Sequence, residues 1–167
     1  MFHLVNWSLD VNDTPYNDQD CLDIQEMIRK FIDEYNPVCV CLQEVPSAML
    51  EFIPACEGYL IMSSKHGENL LVTIYREEGM ETRTKLYSGL KPIHFFRYKE
   101  MCSIVNVCRE QDNCVIRNLI GEKVTDFVVG GEEFVHGAAL ECKLVSCAVG
   151  LKDGFSFHCY LFNKTAY

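Results

Sequence analysis

Apolar positions along the chain follow two spacings, and the change from one to the other sets the expected order of elements. Phe2–Leu9 is a short, largely apolar run that predicts a strand. After a polar stretch from Asp10 to Asp18, the residues Leu22, Ile24, Met27, Ile28, Phe31, Ile32 and Tyr35 recur at spacings of three and four. That period predicts an amphipathic helix with one face laid on a sheet. Asn17 or Asp18 stands where an N-cap belongs, further acids occupy the first turn, and Asn36-Pro37 closes the helix. Val38–Leu42 is apolar at every position, as in a strand covered on both faces. Strand, helix and buried strand make a βαβ unit, so the two strands are expected to be parallel neighbours.

Beyond Pro46 a short helical stretch gives way to strand-like runs at Tyr59–Met62, Leu70–Tyr75, Ile93–Tyr98, Met101–Val107, Phe127–Val129, Leu140–Val149 and Phe155–Phe162. Turn signals such as Gly58, Gly67, Gly79, Gly89 and Pro92 separate them, and Val115–Lys123 reads as a short helix. The expected class is therefore α/β (α+β), a mixed sheet with helices early and antiparallel strands late. The 167 residues suit one domain over residues 1–167, with no repeat, linker or low-complexity tract.

Composition narrows the partners. Residues 1–34 hold eight acids and two bases, most of the formal net charge of −9. A protein that coats nucleic acid or an anionic membrane by charge alone needs a basic face instead, and no apolar run is long enough to span a bilayer. One segment reverses the trend: Thr82–Lys99 carries five bases and no acid, with aromatics between them. Arg83, Lys85, Lys91, Arg97 and Lys99, with Phe95 and Phe96, are the candidate contact surface for nucleic acid or a protein partner. The same alternation also fits the wet faces of two edge strands guarded by charge. Ten cysteines invite a disulfide framework, yet no secretory segment opens the chain and most of the thiols sit in apolar runs. Reduced thiols in an intracellular protein are the expectation, and the absence of C-x-x-C argues against a zinc site.

Asn6 lies in the first strand and Glu44 just after the second. If those strands are parallel neighbours, both residues reach one C-terminal edge, where ligands bind in such folds. A carboxylate there suits Mg²⁺, which takes one or two protein oxygens and fills its other positions with water and phosphate. Glu44 also stands where it could cap the helical stretch after Pro46, and spacing alone leaves both roles open.

Val5-Asn6-Trp7, the helix, and Asn36-Pro37-Val38-Cys39-Val40-Cys41-Leu42-Gln43-Glu44 together resemble the opening of the endonuclease/exonuclease/phosphatase superfamily, the DNase I-like fold. Ile104–Cys108 is similar to its strand ending in N-x-H, Asp126–Phe134 to its G-D-x-N segment, and Ser156–Leu161 to its closing S-D-H segment. The resemblance implies a reduced version of that four-layer fold, a β-sandwich flanked by helices. It further implies Mg²⁺-dependent phosphoester cleavage, with Asn6 on phosphate, Glu44 on the metal, Glu132 as general base and His158 meeting the transferred phosphoryl group.

The chain departs from that pattern at the positions that do chemistry. Cys108 replaces the first catalytic histidine, Glu132 an aspartate, Phe134 an asparagine and Phe157 the aspartate that orients the last histidine. Such groups act as a unit, and losing one costs orders of magnitude in rate. Two functions follow as expectations: a degenerate domain serving as a binding or assembly module without a cofactor, or a minimal Mg²⁺-dependent phosphodiesterase or nuclease built on carboxylates.

Overall fold

The computed structural model describes residues 2–9, 16–87, 91–99, 102–108, 127–130, 134–137, 142–147 and 158–162. The elements are β1 (Phe2–Ser8), α1 (Asp18–Tyr35), β2 (Cys39–Pro46), a 3-10 turn at Ser47–Phe52, β3 (Tyr59–His66), β4 (Asn69–Arg76), β5 (Met80–Tyr87), β6 (Lys91–Tyr98), β7 (Cys102–Val107), β8 (Phe127–Gly130), β9 (Phe134–Gly137), β10 (Cys142–Cys147) and β11 (His158–Phe162). They form a six-stranded sheet, β10-β11-β1-β2-β4-β3, and a five-stranded sheet, β5-β6-β7-β8-β9. Within them β1–β2 and β7–β8 are parallel, and the other pairs are antiparallel. The expected βαβ unit is present.

Local chemistry fixes the ends of α1. The Asn17 side chain accepts from the Asp20 backbone N–H at 2.8 Å, and Asp20 answers by accepting from the Asn17 N–H at 3.1 Å, a complete capping box. At the other end Asn36 turns left-handed at φ 44° and its N–H bonds the Ile32 carbonyl, after which Pro37 prevents continuation. The apolar stripe of α1 then covers the outer face of the six-stranded sheet: Ile24, Ile28, Phe31 and Ile32 pack with Val5, Trp7, Val40, Leu42 and Val72. Trp7 meets Phe31 edge to face at 6.1 Å.

The opposite face of that sheet packs on the second sheet through Leu4, Cys39, Cys41, Phe96, Tyr98, Cys102 and Ile104. This explains why Val38–Leu42 is apolar throughout, since Val40 and Leu42 enter one core while Val38, Cys39 and Cys41 enter the other. Among the described residues no helix is long and apolar enough to cross a membrane. The cysteines with described side chains, Cys21, Cys39, Cys41, Cys56, Cys102 and Cys108, are free thiols.

Two expectations need correction. Glu44 does not cap the 3-10 turn, whose N-cap is Pro46 with no side-chain cap bond. Nor is the stretch at 82–99 a pair of edge strands, because β6 pairs with β5 on one side and β7 on the other. Only β5 is an edge. The helix expected at Val115–Lys123, which would supply a further layer, lies outside the described residues.

Candidate functional site

The parallel register of β1 and β2 sets Asn6 beside Cys41 and Ser8 beside Gln43, so both strands end at one rim of the sheet. Antiparallel β11 begins at that rim with His158 directly opposite Asn6. Three of the four residues singled out by the sequence, Asn6, Glu44 and His158, thus stand on adjacent strands. Glu132 lies outside the described residues. The strand before it, β8, pairs with β7 so that Val129 is beside Asn106.

Glu44 is held by an irregularity in β2. Between Leu42 and Val45 the pairing with β4 slips by one residue, and Glu44 takes φ 52° at the slip. This bulge resets the alternation, so that Leu42 and Val45 both enter the core under α1. Glu44 is left half-buried at the strand end, its Oε2 accepting from Asn69 Nδ2 at 3.0 Å. Left-handed backbone at a residue other than glycine is strained, and strain of this kind concentrates where a side chain must be aimed. One Glu44 oxygen, with water and phosphate in the other positions, fits the way Mg²⁺ is held. Among the described residues no group of three His, Cys, Asp or Glu gathers around it.

Asn6 is almost fully buried and belongs to a chain of polar side chains between the sheets. Gln43 Nε2 donates to both Asn6 Oδ1 and Asn106 Oδ1, each at 2.7 Å. Asn106 Nδ2 donates to the Val72 carbonyl at 3.1 Å and to Thr73 Oγ1 at 2.9 Å. Thr73 Oγ1 shares a hydrogen bond with His94 Nδ1 at 3.0 Å, and His94 Nε2 shares one with Ser64 Oγ at 2.9 Å. Burial pushes the His94 pKa down from 6.5 to about 4, so the ring is neutral. Gln43 Oε1 and Ser8 Oγ, neighbours across β1 and β2, have no hydrogen-bond partner among the described residues.

Sequence reasoning missed Gln43, Thr73, His94 and Asn106 as a connected group. The available signal was a polar side chain inside an apolar run, as in Leu42-Gln43 and Ile104-Val105-Asn106-Val107.

No family model and no curated protein matches the sequence. Solved structures do. The chain is similar to D. rerio TDP2 humanized by 14 mutations, with a TM-score of 0.66 at 11% identity over 98% of this chain and 99% of that one. It is also similar to an endonuclease/exonuclease/phosphatase from Bacteroides vulgatus, with a TM-score of 0.56 at 17% identity over 77% of this chain and 64% of that one. C. elegans TDP2 gives a TM-score of 0.57 at 14% identity, over 95% of this chain and 64% of that one. The fold is the DNase I-like endonuclease/exonuclease/phosphatase fold.

On this endonuclease/exonuclease/phosphatase scaffold, Cys108 follows directly on β7. Its thiol is buried and lies 3.8 Å from the Pro92 carbonyl, a weak bond directed into the protein. The basic segment divides between the two faces of β6. His94, Phe96 and Tyr98 turn inward, Phe96 fully buried against Tyr75 at 5.2 Å, so Phe96 is not part of a contact surface. Phe95 is half-buried and Arg97 exposed on the other face. Register sets Arg83 opposite Phe95, Lys85 opposite Ile93, and Glu81 opposite Arg97, an acid just outside the basic run. Lys99 is exposed, with Nζ 3.9 Å from Glu78 and 5.4 Å from the Tyr98 ring centre, and Lys91 is half-buried. The inward residues pack because sheet pairing assigns them a face, which the residue types alone leave open.

Proposed function

We propose that this protein is a DNase I-like domain that no longer hydrolyses phosphoesters and acts as a binding or assembly module. The observation that carries this reading is Cys108: at the position matching the family's first catalytic histidine stands a buried thiol bonded to a backbone carbonyl. A thiol in that setting neither stabilises a developing charge on a phosphate oxygen nor moves a proton to one. Asn6 is committed as well, its Oδ1 taken by Gln43. What the rim keeps is capacity to bind through Glu44, half-buried at the bulge. D. rerio TDP2 has been solved with a single-strand DNA product, which makes single-stranded DNA the first ligand to test.

The second reading, a minimal Mg²⁺-dependent nuclease with Asn6, Glu44, Glu132 and His158 as its machinery, is favoured by the strained placement of Glu44. One assay separates the two. The protein is incubated with Mg²⁺ or Mn²⁺ and with single- and double-stranded DNA, RNA and a chromogenic phosphodiester, beside Glu44→Ala. Product release equal to the protein-free blank is expected throughout. Metal-dependent turnover that disappears in Glu44→Ala overturns the binding-module reading.

A further inference from the structure

The polar chain that starts at Asn6 ends on β3. There Ser64 Oγ lies 2.9 Å from His94 Nε2, and His94 Nδ1 lies 3.0 Å from Thr73 Oγ1. The three residues come from three strands and both sheets: Ser64 from β3, Thr73 from the neighbouring β4, and His94 from β6 in the second sheet. His94 and Thr73 are fully buried, whereas Ser64 is half-buried and is the member of the group that reaches solvent. A hydroxyl within hydrogen-bond reach of a base, with that base held from behind by a third group, is the arrangement that makes a nucleophile. The groups around the ring, Thr73, Ser64, Asn106 opposite it on β7 and Phe96 edge-on at 6.3 Å, carry no charge. Burial keeps the ring neutral, and a neutral ring has one nitrogen with a free lone pair, which an imidazolium lacks.

We propose that Ser64 is a nucleophile for acyl transfer, with His94 as its base, and that the group it accepts comes from an uncharged, activated ester of an apolar acid. Alternation along β3 puts Leu60 and Met62 on the face of Ser64. Met62 packs on the core between the sheets and Leu60 is 43% exposed, so the approach to the hydroxyl runs along apolar side chains. The net charge of −9 disfavours an anionic substrate. In the step, His94 Nε2 takes the proton of Ser64 as Oγ bonds to the acyl carbon. The bond from that carbon to the leaving oxygen then breaks, and the proton departs with the released alcohol. The product is an ester on Ser64. That role requires the hydrogen of the neutral ring to sit on Nδ1, where Thr73 Oγ1 accepts it. Thr73 already accepts from Asn106 Nδ2, and a hydroxyl oxygen has a second lone pair to offer. Glu44 and the other rim residues take no part, so the step does not depend on whether the rim does chemistry.

Reaction of the full chain with p-nitrophenyl butyrate tests it, read by release of nitrophenol and by mapping the acylated peptide after an acid quench. A butyryl ester on Ser64 is expected. Ser64→Ala should abolish that ester and the share of release that depends on it, and His94→Gln should slow the same share about 100-fold. In the wild type the Ser64-dependent rate should hold level from about pH 7 to 9, because the base is already neutral, whereas a hydroxyl without a base speeds up about tenfold per pH unit as hydroxide rises. Ser64→Ala removes only a half-buried hydroxyl, so it carries the test even if His94→Gln unfolds. Nitrogen-15 spectra of the imidazole give a readout that needs no reagent, with the hydrogen expected on Nδ1. The proposal is overturned by release that Ser64→Ala leaves unchanged, by a Ser64-dependent rate that climbs with hydroxide, by a wild-type rate in folded His94→Gln, or by the hydrogen on Nε2.

Discussion

Glu44 shows how one residue can carry local cost for a placement the fold needs. Its φ of 52° lies in the left-handed region, where a side chain is penalised by roughly 1–2 kcal/mol. The spacing of the sequence brought Glu44 to the sheet rim, but the bulge that aims it was not visible there. A bulge is read as a break in alternation, and Val38–Leu42 has no alternation to break, being apolar at every position. Glycine at this position removes the penalty, while alanine keeps it; both lose the carboxylate and the bond from Asn69. Glu44→Gly should therefore be more stable than Glu44→Ala by about 1 kcal/mol in urea unfolding, after the greater freedom of glycine in the unfolded chain is counted. Equal stabilities would show that the backbone at the bulge is relaxed.

Elements were legible where their causes are local. The period of α1, its Asn17 cap and its Asn36-Pro37 stop all lie within the segment itself, and the helix forms over Asp18–Tyr35 accordingly. Because the capping box satisfies one N–H at each end of its reciprocal pair, Asn17→Ala should destabilise the protein by about 1 kcal/mol or somewhat more. A lower urea midpoint with an unchanged slope is the expected result; a changed slope would mean that α1 no longer docks as a unit. β5 was less legible, since as an edge strand it carries Thr and Arg where a central strand carries Val and Ile. Phe95-Phe96 offered no way to tell which ring turns inward, because that choice is made by pairing with β7 and packing on β4, both distant in sequence. The candidate site follows the same division: Asn6 and Glu44 were found from the parallel βαβ unit, whereas the links from Gln43 to Asn106 and from Thr73 to His94 join strands far apart in the chain.

Across the whole molecule, the two sheets are joined by apolar packing and by the polar chain that crosses between them. His94 sits in that chain, bonded to Thr73 and Ser64, and its burial disfavours the charged form of the ring. In the folded protein His94 stays neutral down to about pH 4, while in the unfolded chain it takes its proton near 6.5. Between those values the unfolded state holds the extra proton, so stability rises with pH and is lost on acidification. A shift of that size corresponds to at most roughly 3 kcal/mol. His3, whose pKa is also lowered, chiefly by burial, acts in the same direction, so the wild-type curve alone does not isolate the buried ring. His94→Gln does. The variant should be less stable than the wild type at pH 7, and the difference between the two should shrink as the pH falls from about 6.5 toward 4. If the difference instead holds constant across that interval, His94 takes up its proton equally in both states, and burial between the sheets does not hold the ring neutral.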